Sequence, residues 1–135
     1  MIKAVGLLLL ASAVQQAMPP APPPLLARPA IGAPPDYSPA MCRGAAERLA
    51  MNNGVARRLP DMATAIEKMT GKPLFKDAAD RASYEEKLAA DEALAREALS
   101  RFPKASLSNQ QFTWFVNATA EDLIAAVKTC LGTHP

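Results

Sequence analysis

Residues 77–102, DAADRASYEEKLAADEALAREALSRF, carry the longest helical signal in the chain, and their reading decides the fold. Asp77 can cap a helix. Tyr84, Leu88, Ala95, Leu99 and Phe102 form an apolar stripe, and Pro103 ends the run. The outer face is charged in the favourable order, with the acid first in the i,i+4 pairs Asp77–Arg81, Glu92–Arg96 and Glu97–Arg101. Each such pair contributes only about 0.2–0.5 kcal/mol. These charges describe a solvated helix face.

Reading outward, Ser108-Asn109-Gln110-Gln111 is a capping box. It launches Phe112, Phe115 and Val116 on one face, continued by Leu123, Val127 and Cys130. Thr119-Ala120-Glu121-Asp122 offers a second cap, so this region is either two helices or one bent helix. Upstream, Ser38-Pro39 places a cap before a proline at the first helical position. Cys42, Ala45, Ala46 and Leu49 then share a face, and Asn52-Asn53-Gly54 reads as a stop. A second short helix is expected to open at Pro60-Asp61, to pack through Met62, Ile66 and Met69, and to end at Gly71. The expected fold is all-α, a small four- to five-helix bundle over residues 40–135.

Ahead of that domain the chain changes character. Nine of the 13 prolines fall between Pro19 and Pro39, so residues 18–39 read as a Pro-rich, disordered linker. Residues 1–17 read as a signal peptide of bacterial type, with Lys3, an apolar run from Ala4 to Leu10, and small residues suited to cleavage after Ala13 or Ala17. The apolar stretch is too short to span a bilayer, so no stable membrane span is expected after cleavage. Loss of Lys3 takes the net charge from +2 to +1, which carries no message about acidic partners. The expected location is the periplasm or the medium. In such an oxidising compartment the only two cysteines, Cys42 and Cys130, are expected to form a disulfide. The domain needs one, because Leu, Ile, Val and Phe make only 18 of its last 96 residues and alanine makes 20.

The chemistry on offer is sparse. The single histidine, His134, sits in a C-terminal tail expected to fray. There is no glycine-rich phosphate loop, no C-x-x-C pair and no S-x-x-K motif in the domain, so neither a cofactor nor a metal is expected. Basic residues such as Arg57, Arg58 and Lys68 are too thin a set for a nucleic-acid surface. Glu85-Glu86, Asp91-Glu92 and Glu121-Asp122 are adjacent pairs, and neighbours on a helix diverge by about 100° instead of facing one cleft.

The most informative cluster is Phe112-Thr113-Trp114-Phe115-Val116, which holds three of the seven aromatic residues. Phe112, Phe115 and Val116 are expected to face the core while Trp114 points elsewhere, covering a helix seam or anchoring a partner. Phe112, Trp114 and Phe115 are therefore the candidate contact residues for a protein or small ligand. Met41, Met51, Met62 and Met69 form a second soft set, either core filler or groove. The expected function is binding without catalysis, by a small exported helical protein. Two alternatives are a small envelope-polymer hydrolase using acids such as Asp61 or Glu67, and a structural envelope spacer.

Overall fold

The structure, a computed structural model, describes residues 29–135. The expected signal peptide and residues 18–28 of the Pro-rich segment lie outside them. The described residues form four helices and no strand: α1 (Pro39–Thr70), α2 (Ala78–Arg101), α3 (Asn109–Asn117) and α4 (Ala120–Thr133). The bundle is all-α, as the periodicity implies, and Cys42 is bonded to Cys130 across 88 residues of sequence, with the Cα atoms 5.7 Å apart.

Helix starts follow local chemistry. The Ser38, Asp77, Ser108 and Thr119 side chains each accept from a backbone N–H of the first turn, and Gln111 and Asp122 complete reciprocal boxes at the last two. The segment after Ser108 is thus two helices. Gly71, at φ 72°, closes α1 in the left-handed conformation that glycine adopts without penalty.

The expected break between two helices at Asn52–Gly54 and Pro60 does not occur; α1 runs unbroken for 32 residues. Glycine ends a helix when it adopts positive φ, and among the described glycines only Gly32 and Gly71 do so. Pro60 lacks the N–H that would bond the carbonyl of Ala56 four residues earlier. The Tyr84 hydroxyl, reaching over from α2, donates to that same carbonyl at 2.9 Å. A side chain from the neighbouring helix thus supplies the hydrogen bond that the proline removes.

One continuous helix also changes which residues face inward. The inner face of α1 runs through Cys42, Ala45, Ala46 and Leu49 to Asn53 and Pro60, all buried. At 100° per residue, Met62 lies about 220° around the helix from Leu49. The expected packing stripe Met62, Ile66 and Met69 is therefore largely exposed, with Met69 at 86%. Core residues on α2 are Leu88, Ala95 and Ala98, and on α4 Leu123, Val127 and Cys130. Small side chains on these inner faces let helices approach closely.

Polar groups fasten the ends. Arg43 Nη1 donates to the carbonyls of Leu99 (3.0 Å) and Phe102 (2.8 Å), satisfying the C-terminus of α2 from α1. The tail expected to fray is held: His134 Nε2 lies 2.8 Å from the Tyr37 carbonyl, and its ring meets Phe102 edge-on. Residues 29–38 carry no helix or strand, yet they are pinned to the bundle. Ile31 and Gly32 donate their backbone N–H groups to the Asp122 carboxylate at 3.0 Å each, and Pro34 is buried.

Candidate binding surface

The aromatic cluster on α3 is turned by about one residue from its expected orientation. Trp114 and Phe115 are both buried and meet edge to face, with centroids 5.3 Å apart. Phe112 and Val116, expected in the core, are 60% and 52% exposed. The cause lies on α1. Gly44 leaves the space that the Phe115 ring occupies, for a Cβ there would sit 2.8 Å from Phe115 Cε2. With Phe115 seated on that glycine, Trp114 turns inward and Phe112 outward. Of the candidate contact residues, Phe112 alone offers a surface.

A larger apolar surface lies along the outer side of α1. Met51, Val55, Met62 and Met69 are each at least half exposed. Leu59 and Ile66, partly buried, fall between them on the same side of the helix. The methionines therefore divide: Met41 is fully buried, while the other three face solvent. Gly44, under Phe115, precedes Met51 by two helical turns on this face. So α3 covers the beginning of the stripe, and no described element covers the rest.

On the inner side of α1, a cleft of about 190 Å³ opens where α1, α2 and α4 meet. Its walls include Leu49, Ala56, Leu88 and Ile124, with Asn53 at its side. Asn53 is 6% exposed, and its Nδ2 has no hydrogen-bond partner. Sequence reasoning missed this residue by reading it as part of a helix stop.

The carboxylates are engaged separately. Asp91 pairs with Lys87 of its own helix at 3.1 Å, and Glu92 pairs across the hairpin with Arg57. The Arg57 hydrogen bond and charge hold Glu92 below its ordinary range. Of the three expected i,i+4 pairs only Glu97–Arg101 forms, because Asp77 serves as a cap and Glu92 is taken by Arg57. Burial opposes ionisation of Asp122, but hydrogen bonds from Thr119, Ile31 and Gly32 outweigh it and keep the carboxyl below its ordinary value. Asp61 and Glu67 are exposed on α1, separated by about 240° of helical turn, so they do not converge. Among the described residues, no group of three His, Cys, Asp or Glu side chains is placed to hold a metal. Nor is any described helix long and apolar enough to cross a membrane.

No family model matches the chain, and searches of curated proteins and of solved structures find no match.

Proposed function

We propose that the protein is an exported binding protein of the periplasm or the medium, which presents the outer face of α1 to a protein partner. The observation that carries this reading is the exposed stripe Met51, Val55, Met62 and Met69 on a helix whose opposite face is already packed. Contiguous exposed apolar surface marks interaction sites, and methionine adapts its shape to what it meets. An apolar helix face is the natural complement of such a stripe. Phe112 and Val116 on α3 extend the apolar surface available at the other end of the molecule. The disulfide supports the export part of the reading, since such bonds persist in oxidising compartments.

Site-specific photocrosslinking in the producing cell tests the reading. A benzophenone side chain at Met62 is expected to trap a protein adduct in the exported fraction, whereas the same group at Ser83 on α2 traps none. Met69→Glu in the same chain should abolish the Met62 adduct. Equal labelling from both positions, or none from Met62, would refute the assignment. Mass analysis of the exported chain should find its N-terminus at Val14 or Met18; a chain retaining Met1 would overturn export by signal cleavage.

A further inference from the structure

The stripe on the outer side of α1 has a charge pattern as well as a shape. At 100° per residue, Met51, Val55, Met62 and Met69 fall within about 40° of one another around the helix. Arg48 and Arg58 lie about 40° to either side of that line and about 15 Å apart along the axis. Both are exposed, and among the described residues neither makes an ion pair. The acids of α1 do not answer them. Glu47 is committed to Arg43 at 2.7 Å, and Asp61 and Glu67 stand about 100° or more from the middle of the stripe. The chain as a whole is close to neutral, yet this face of α1 offers two free guanidinium groups and no free carboxylate.

Resting on the reading of the stripe as a docking surface, we propose that its occupant is an amphipathic helix of a protein partner that carries an acidic residue on each flank of its apolar face. Its apolar side chains seat among the methionines, and its acids, about two to three turns apart, reach Arg48 on one side and Arg58 on the other. A guanidinium holds a carboxylate in a two-pronged fork, so the pair fixes the register of the partner more than it adds affinity. A second copy of the chain is a poor occupant, since two stripes together would gather four arginines and no unpaired acid. An anionic lipid surface is a poorer match as well. Helices that lie in membrane interfaces present Trp, Phe or Leu, whereas the exposed residues here are methionines and a valine.

The test uses the processed, disulfide-bonded chain and three alanine-based helical peptides of the length of Arg48–Met69. They share one leucine stripe and carry glutamate, glutamine or lysine on its flanks. Fluorescence anisotropy measures affinity, and the Met51, Met62 and Met69 methyl resonances report the surface used. The glutamate peptide is expected to bind about ten-fold more tightly than the lysine peptide, with the glutamine peptide between them, because each exposed pair turns from attraction to repulsion. In Arg48→Gln/Arg58→Gln, which strands no partner inside the protein, the three should bind within about two-fold of one another. In the cell, the Met62 photoadduct should be lost in Arg48→Glu/Arg58→Glu and kept in Arg48→Lys/Arg58→Lys. Equal affinities for the glutamate and lysine peptides in the unaltered chain overturn the acidic flanks. So does a Met62 adduct that survives the charge reversal, a result that leaves the docking surface itself standing. Binding to phosphatidylglycerol vesicles, or dimerisation, that Met69→Glu abolishes gives the stripe a different occupant and overturns the proposal.

Discussion

Removing the Tyr84 hydroxyl should cost far more in the native chain than in a variant whose residue 60 can donate its own amide. Pro60 leaves the Ala56 carbonyl without its helical partner, and Tyr84 Oη supplies a bond of 2.9 Å in its place. Tyr84→Phe keeps the ring that packs against Phe75 at 5.3 Å and removes only the donor. The expected cost is about 1 kcal/mol, near the lower end for a deprived buried acceptor because Ala56 is only partly buried. Pro60→Ala restores the N–H and removes a residue that costs roughly 3 kcal/mol in a helix interior, partly offset by a more flexible unfolded chain. In that background Tyr84→Phe should cost no more than about 0.3 kcal/mol, so the double-mutant cycle closes with a coupling of about 0.7 kcal/mol. Equilibrium urea unfolding measures it, followed by Trp114 fluorescence for the bundle and by circular dichroism for helix content. If Tyr84→Phe costs the same in both backgrounds, the hydroxyl does not compensate the proline, and the continuity of α1 has another cause.

Reducing the Cys42–Cys130 bond should lower stability by about 4.6 kcal/mol on the chain-entropy estimate for a loop of 88 residues, and an unchanged urea midpoint with and without reductant would contradict it. Gly44→Ala should destabilise the fold by about 1–3 kcal/mol despite the better helix propensity of alanine, since its Cβ would press on the buried Phe115 ring; a raised melting temperature would show that the ring yields freely. Asp122 has a folded-state pKa below its ordinary 3.8, so the stability it contributes is complete above about pH 4 and is lost as the pH falls through the folded value. Protection of the Ile31 and Gly32 amides, taken relative to their intrinsic exchange rates, should fall over that acid range in the native chain and stay unchanged with pH in Asp122→Asn; equal acid sensitivity in both chains would sink the assignment.

Ser38, Asp77, Ser108 and Thr119 were legible as caps because each acts on backbone within its own first turn. The disulfide was legible because two cysteines admit only one pairing. Asn52–Gly54 and Pro60 misled for the opposite reason. A breaker states a local cost, and the side chain that offsets it at Pro60 lies on a different helix. The same mistake concealed a buried polar group. With α1 divided at Gly54, Asn53 belongs to a turn and needs no partner; with α1 continuous, it is a buried amide on an apolar face. On α3 the period alone admitted either facing, and the choice was made by Gly44, which lies 71 residues from Phe115 in the sequence (115 − 44) and in contact with it in space.

Along the continuous α1 the molecule divides into two parts that hold different amounts of core. The disulfide and α3 engage the first half of α1, and the residues ahead of it are pinned to Asp122 on α4 and Gln111 on α3. Beyond Leu59, Pro60 is the last buried residue of α1, and no residue of α2 before Leu88 is buried. The far part is thus a two-helix arm with little core, joined through the Tyr84 hydroxyl, the Phe75–Tyr84 contact and, at its base, the Arg57–Glu92 pair. An arm with so little core is a poor way to add stability, and its exposed Met62 and Met69 would be a liability on a surface that met only water. Both features make sense together if the arm gains its missing contacts from a partner.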